Sequence, residues 1–370
     1  MTGARRQPPR DTAVDALRAL ALLPVVAVNW VGYAALPDAG PLAAATPAGS
    51  WWAQGALIAV ATLLAAKGIS LLTFLFGYSQ GLSRRARGAD AHAVRRRRMQ
   101  KLLLLGVLHG ALVYAGDILT LYAACGLLML GWSRLRPRQL WRRSAVLLSV
   151  SLVLIVGVSV AILLMDDGRG PASTPSLATP NDWPGWLTLN AWGYLTSQAA
   201  LLCLGFLLPL GVMTAGLLAA RLRLFSHPRW RPALQRWARR WLWPGLALNL
   251  LWGLGLWQAL REGLEAGSQA IYAFGLYVAM PLLAGLVPAL VLAAQRGATL
   301  TQRLAALGRH TLSLYIGSSL LSLAVLSGVG LALPLGTAAL AMASLLYWAL
   351  WLALAPRCGG RLPLEAWLSR

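Results

Sequence analysis

A chain of 370 residues that is 58% hydrophobic, with mean hydropathy +0.62 and a formal charge of +22, is too apolar for an ordinary soluble protein of its size. Nearly all of its 33 lysines and arginines fall in short polar stretches on one side of a repeating apolar pattern. That placement orients a membrane protein by the positive-inside rule and leaves no need for a nucleic-acid partner to explain the charge.

The fold class follows: all-α, a polytopic transmembrane bundle of about ten crossings with both termini cytoplasmic, at roughly 20 residues per crossing. No polar stretch is long enough for a separate soluble domain, so residues 1–370 read as a single integral-membrane domain. Its parts are 13–82, a short hairpin at 102–132, the remaining helices in 144–355, and a cytoplasmic tail at 356–370. The three cysteines, Cys125, Cys203 and Cys358, suggest neither a disulfide framework nor a metal site.

In chain order, residues 13–35 form the first helix, starting inside after the basic stretch 1–10. Pro37 and Gly40 open an outer loop that reaches the Trp51-Trp52 pair. The apolar run 54–82 is overlong and is cut at Lys67-Gly68, which makes 68–82 the main crossing and 54–66 an oblique or re-entrant outer piece. A basic loop containing Arg84, Arg85, Arg87 and Arg95 to Arg98 leads into a hairpin: 102–115 outward, a break at Gly116-Asp117, and 118–132 back. Both arms are short. The turn then lies within the outer leaflet, which is tolerated only where protein or water surrounds it. Helices are expected at 144–165, 241–260, 270–294, 311–333 and 336–355. The loop 166–184 is outer. The run 185–220 begins with an amphipathic segment carrying Trp186, Asn190, Trp192 and Tyr194, and 221–240 is a third basic loop. Arg169 and Arg261 fall on the non-basic side.

Charged groups inside a bilayer are expensive and point to function by default. At 1.5 Å per residue, Lys67 and Asp117 lie about 25 and 24 Å above the basic loops, so an ion pair between them is expected; the plainer reading is separate snorkelling to outer water. His109 lies about 12 Å above Lys101, near mid-membrane, and suits proton transfer. A straight helix would hold His109 and Asp117 about 12 Å apart, so substrate or water is expected between them. Asn29, near the outer end of the first helix, joins an outer pocket or makes a packing hydrogen bond. Asp15 and Arg18 share a face three residues apart; they anchor the helix end as a local ion pair, or anchor an anionic cofactor. Glu365 in the tail is expected to face solvent. Residues alone name no reaction.

Several segments together resemble one family. They are Val14-Asp15-Ala16-Leu17-Arg18-Ala19-Leu20 running to Val28-Asn29, Lys67-Gly68, and Phe74-Leu75-Phe76-Gly77. The hairpin adds Arg96-Arg97, Gly106-Val107-Leu108-His109-Gly110, Gly116-Asp117-Ile118-Leu119, Tyr122-Ala123 and Gly126. Near the C-terminus come Gly308-Arg309, Leu312-Ser313, Tyr315 and Ser318, then Leu362-Pro363-Leu364-Glu365-Ala366-Trp367. In order, these resemble the motifs of the YeiB-like bacterial inner-membrane proteins, a family of unknown function associated with transport. Ala19 and Ser79 stand where that family usually has glycine.

The family is distantly similar to the transmembrane acyltransferases, which carry acyl groups from cytoplasmic acyl-CoA to extracytoplasmic acceptors. Those enzymes place a catalytic histidine near the outer end of the first helix; here Asn29 stands there and His109 is the deep substitute. The resemblance implies an acyltransferase with acyl-CoA as co-substrate, no metal, and a membrane-lipid or small-molecule acceptor. His109, Asp117 and Lys67 would be catalytic, and Asn29, Tyr122, Asp15 and Arg18 would bind substrate. A transporter or exporter and a non-catalytic scaffold or sensor are the alternatives. The sequence specifies no oligomeric state.

Overall fold

A computed structural model describes residues 11–33, 50–83, 90–166, 177, 180–297 and 299–369. Among them every regular element is helical. The basic N-terminal stretch, the outer loop after Tyr33, Arg84, Arg85, Arg87 and most of the 166–184 loop with Arg169 lie outside the described residues.

Helix α1 (Thr12–Tyr33) is the axis, and it is buried along most of its length despite Pro24. It packs on α3 (Lys67–Ser83), α11 (Gly275–Ala294), α12 (Thr299–Gly308), α13 (Thr311–Leu326) and α14 (Thr337–Leu354). Glycines set the approach. A Cβ at Gly68 would lie 2.6 Å from the Ala21 carbonyl oxygen, and one at Gly308 would lie 1.8 Å from that of Asp15. Close backbone approach at small residues is the usual substitute for a hydrophobic driving force between helices in lipid. The indoles of Trp30 and Trp348 complete the axis, donating to the carbonyls of Ser318 and Ala19 at 3.1 and 2.8 Å.

The overlong run 54–82 breaks at the expected place. Helix α2 (Trp51–Ala59) passes into a π turn, Val60–Leu64, and α3 begins at Lys67. Ala66 between them has φ +65°, a left-handed conformation unfavourable for a residue with a Cβ. The two pieces nonetheless run on as one candidate span, Trp51–Leu82. The second overlong run also breaks at a π turn: α7 (Trp183–Ala200) leads through Leu201–Gly205 into α8 (Leu207–Arg221) at 64°.

Helices α4 (Asp90–Leu112) and α5 (Leu119–Leu130) form the expected hairpin, but α4 begins well before 102, so Arg95 to Arg98 lie on helix, not in a loop, and only the second arm is short. Helix α6 (Pro137–Met165) presents a largely exposed apolar surface, with Val153 and Leu164 70% and 81% accessible, as a lipid-facing helix should. Helix α9 (Arg231–Arg261) begins well before the expected 241, so Arg236, Arg239 and Arg240 lie on helix, not in a loop. The expected helix 270–294 is split into α10 (Glu265–Ala273) and α11, where the Trp252 indole takes the Ile271 carbonyl at 2.8 Å. Helix α13 stops at Leu326 instead of 333. Ser327 is extended there, and Leu331 N–H donates back to the Ala324 carbonyl at 2.9 Å. Helices α12 and α15 (Pro363–Ser369) were not expected.

Five segments are long and apolar enough to cross a membrane: Thr12–Tyr33, Trp51–Leu82, Pro137–Met165, Gly275–Ala294 and Thr337–Arg357. The bent α7–α8 pair is a sixth candidate. The other four expected crossings fall on α4, α5, α9 and α13.

Helices α3 and α8 cross through paired glycines. A Cβ at Gly77 would lie 1.9 Å from the Met213 carbonyl oxygen, and one at Gly216 would lie 2.0 Å from that of Phe74. Gly77→Val is expected to destabilise the protein by about 1–3 kcal/mol through over-packing. Gly55→Ala in α2, where nothing lies within 4 Å, is expected to be neutral or stabilising. Unfolding of the purified protein in mixed micelles measures both.

Candidate active site

The hairpin turn between α4 and α5 is where the buried polar groups gather. Helix α4 ends because the His109 carbonyl accepts from both Val113 and Tyr114 N–H at 2.9 Å, and the chain then reverses. The reversal brings Asp117 back beside His109: Nδ1 lies 2.9 Å from Asp117 Oδ1, with both side chains almost wholly buried. The expected separation of about 12 Å assumed a continuous helix. Since the helix stops at Leu112, the pair is direct, with nothing between its members.

Asp117 is filled by its own neighbourhood. Its second oxygen accepts from Thr120 N–H at 2.9 Å and from the Thr120 hydroxyl at 3.0 Å. The Tyr194 hydroxyl lies 2.9 Å from that of Thr120 and donates to it, because the Thr120 proton is directed at the carboxylate. An ionised carboxylate only accepts, so beside an ionised Asp117 the proton of the His109–Asp117 bond belongs to Nδ1, and it is in the neutral imidazole that Nε2 carries the lone pair. Nε2 is buried and has no hydrogen-bond partner among the described residues. The rings of Tyr315 and Tyr114 stand 5.2 and 6.4 Å from the imidazole, centre to centre.

The turn itself is held by α7. The Asn190 side-chain amide donates to the Gly110 and Ala111 carbonyls at 2.9 and 2.8 Å, and its oxygen accepts from Ala115 N–H at 2.8 Å. Ser197 donates to the Ala115 carbonyl and Gln198 to the Asp117 carbonyl, at 3.1 and 3.0 Å. Asn190, Tyr194 and Gln198 recur every four residues and so form one polar stripe on an apolar helix. Two glycines let the layers meet: a Cβ at Gly110 would strike the Tyr194 ring at 2.2 Å, and one at Gly106 would come within 2.5 Å of Thr120 N.

The other expected site residues go elsewhere. Lys67 forms no ion pair with Asp117. Its ammonium donates to the Ala61 carbonyl at 2.8 Å and sits 4.7 Å above the Trp252 ring. It lies at the C-terminal end of the α2–π segment, where unpaired carbonyls and the helix dipole attract a cation. Asn29 has a buried side-chain nitrogen without a partner, one turn from Tyr33, whose ring stacks on Tyr114 at 5.6 Å. Tyr122 serves helix packing: its hydroxyl donates to the Ile69 carbonyl at 3.0 Å and lies 2.7 Å from Thr73. Arg18 pairs with Asp15 at 2.5 Å and reaches Ser79, tying α1 to α3.

Glu365 does not face solvent. Its carboxylate accepts from Ser313 N–H and hydroxyl, at 2.8 and 2.6 Å, and so caps the first turn of α13, the helix that carries Tyr315. Lys101 on α4 holds the same tail through the Trp367 carbonyl at 3.1 Å and through its ring.

These features define a helical membrane protein with a buried His–Asp pair at the turn of a helical hairpin. Residues 219–357 match the family described as Protein of unknown function (DUF418). Over 107 residues the chain is 33% identical to the Uncharacterized protein YxaH of Bacillus subtilis (strain 168), an alignment covering 28% of this chain and 25% of that protein. The chain thus spans about a quarter of the length of that relative. The DUF418 match agrees with the resemblance to YeiB-like proteins; His109 and Asp117 lie outside the matched residues.

Asn190→Leu would leave one buried N–H and two carbonyls of the turn without their partner, a loss of about 3–6 kcal/mol at about 1–2 kcal/mol per buried hydrogen bond. Thermal unfolding in detergent should register it. Glu365→Ala should remove about 0.5–2 kcal/mol in the same assay, the usual value of a helix cap, and Glu365→Gln less.

Proposed function

We propose that this chain is a membrane-bound acyltransferase of a bacterial inner membrane, with ten crossings and both termini in the cytoplasm. It would move an acyl group from cytoplasmic acyl-CoA to a membrane-lipid or extracytoplasmic acceptor. The observation that carries this reading is the His109 imidazole, bound to a buried carboxylate through Nδ1 while Nε2 has no partner. That is the arrangement a general base requires: a fixed tautomer, a fixed ring and an available lone pair.

In this reading Nε2 takes the acceptor hydroxyl proton as its oxygen bonds to the thioester carbonyl carbon. The carbon–sulfur bond then breaks, and the imidazolium returns the proton to the departing thiolate. Asp117 keeps the ring oriented and stabilises the imidazolium. The unpartnered Asn29 amide is the available donor for developing negative charge. Lys67, engaged by Ala61 and Trp252, supports the segment that frames the site, and Asp15–Arg18 sits at the end from which acyl-CoA would enter. Tyr122 acts through its hold on α3.

A carrier of a small metabolite or lipid is the second reading, favoured by the two π-turn interruptions at Val60–Leu64 and Leu201–Gly205. Broken helices around a protonatable group are how many carriers build a site.

Purified protein in lipid vesicles, given acyl-labelled acyl-CoA, should transfer label to lipid or added acceptor. His109→Ala and Asp117→Asn should each lower the rate about 10²–10⁴-fold, the usual contribution of an oriented base. Absence of transfer, or transfer unchanged in both variants, refutes the enzyme. Substrate flux in the same vesicles without acyl-CoA would favour the carrier.

A further inference from the structure

Helix α4 has two faces with different contents. His109 is buried among Tyr114, Tyr315 and Asp117. Gln100 is nine residues earlier, which at about 100° per residue places it on the opposite side of the helix. That opposite side is open. His92, Arg96 and Gln100 are exposed, and with Leu127, Leu130 and Gly131 around the end of α5 they line a cavity of about 480 Å³. Farther along the same side, away from the arginines, the exposed residues become apolar: Leu104, Val107 and Leu108, with Leu128 exposed on α5. Arg96, Gln100, Leu104, Val107 and Leu108 fall within an arc of about 120° by the helical angle.

We propose that this face of the hairpin is a binding site for one anionic phospholipid, with its phosphate in the His92–Arg96–Gln100 cavity and its acyl chains along the leucines above. The chemistry divides where a lipid divides. A guanidinium and an amide suit phosphate oxygens, since Arg presents a planar fork of donors and Gln adds an N–H. Immediately beyond Gln100 the surface offers only hydrocarbon. A free phosphate or a nucleotide uses the first half of this surface and leaves the second unexplained; a phospholipid uses both. The depth also fits. Gln100 to Leu108 spans about 12 Å at 1.5 Å per residue, close to the thickness of one leaflet's hydrocarbon.

The site is separate from the His109–Asp117 pair, which faces the other way, and it does not depend on the reaction proposed above. It does bear on the same helix: a lipid seated here lies against α4 and α5, whose connecting turn carries the pair.

The test uses the full-length protein in a neutral detergent, titrated with a chain-labelled phosphatidylglycerol and, separately, with phosphatidylcholine labelled in the same way. The anionic lipid should bind and the zwitterionic one should bind at least about tenfold more weakly, because its quaternary ammonium offsets the same phosphate charge and brings a second cation up to Arg96. Arg96→Gln should weaken phosphatidylglycerol about tenfold, and His92→Gln in the same direction by less. Arg239→Gln, an exposed arginine on α9, serves as the control and should change affinity by less than about twofold. sn-Glycerol 3-phosphate should not displace the lipid at equal concentration. Gel filtration and the melting curve confirm that each variant is folded; if Arg96→Gln fails there, His92→Gln carries the comparison. Equal binding of phosphatidylcholine would overturn the proposal. So would an equal loss in Arg239→Gln, which would indicate a diffuse basic surface, or displacement by glycerol phosphate, which would make the ligand a free phosphate ester.

Discussion

A chain that reverses direction inside an apolar protein interior must find partners for the peptide groups that the helix no longer satisfies. The turn from Val113 to Ile118 and the helix ends beside it meet this condition with backbone carbonyls and with side chains from α7 and from the hairpin itself. Asn190 alone serves three backbone groups; Ser197, Gln198 and Asp117 serve others. Because unpaired amides in hydrocarbon are costly, the turn, the polar stripe of α7 and the small residues that bring them together are one interdependent unit.

The His109–Asp117 pair is a consequence of that unit. Asp117 accepts from Thr120 N–H at the start of α5, as an N-cap aspartate does, and its other oxygen is left pointing back along α4 to His109. A side chain that completes a helix start thereby orients an imidazole. Burial prevents water from competing for the carboxylate, so the ring is held in one orientation with its second nitrogen unpartnered. The aromatic wall of Tyr33, Tyr114 and Tyr315 brings α1 and α13 to the same place.

The basic end of the bundle is tied by other means. Arg18 links α1 to α3, and the tail helix caps α13 through Glu365 while Lys101 grips Trp367. Helices α4 and α13 are therefore joined both at the His109–Tyr315 contact and through the tail, which reaches Lys101 midway along α4 and Ser313 in the first turn of α13. The tail motif, which in sequence looks like a short solvated ending, fixes the relative placement of two helices that wall the site.

The sequence by itself determined the class, the location of most helices and the two interruptions near Lys67 and Gly116-Asp117, because hydropathy and positive charge act locally and along one dimension. It also singled out His109 and Asp117, since ionisable groups in apolar runs stand out without any structure. What only the tertiary structure decided was who meets whom. A rise per residue cannot foresee that α4 stops at Leu112, so the spacing that ruled out a direct pair was measured along a helix that does not exist. It cannot foresee that a π turn leaves a carbonyl for Lys67, which removes the need for Asp117 as its counter-charge. Nor does the tail disclose that Glu365 folds back onto Ser313, 52 residues earlier in the chain. Polar partnership in a low-dielectric interior is settled by which donors and acceptors come within about 3 Å, and that is a property of the packed bundle.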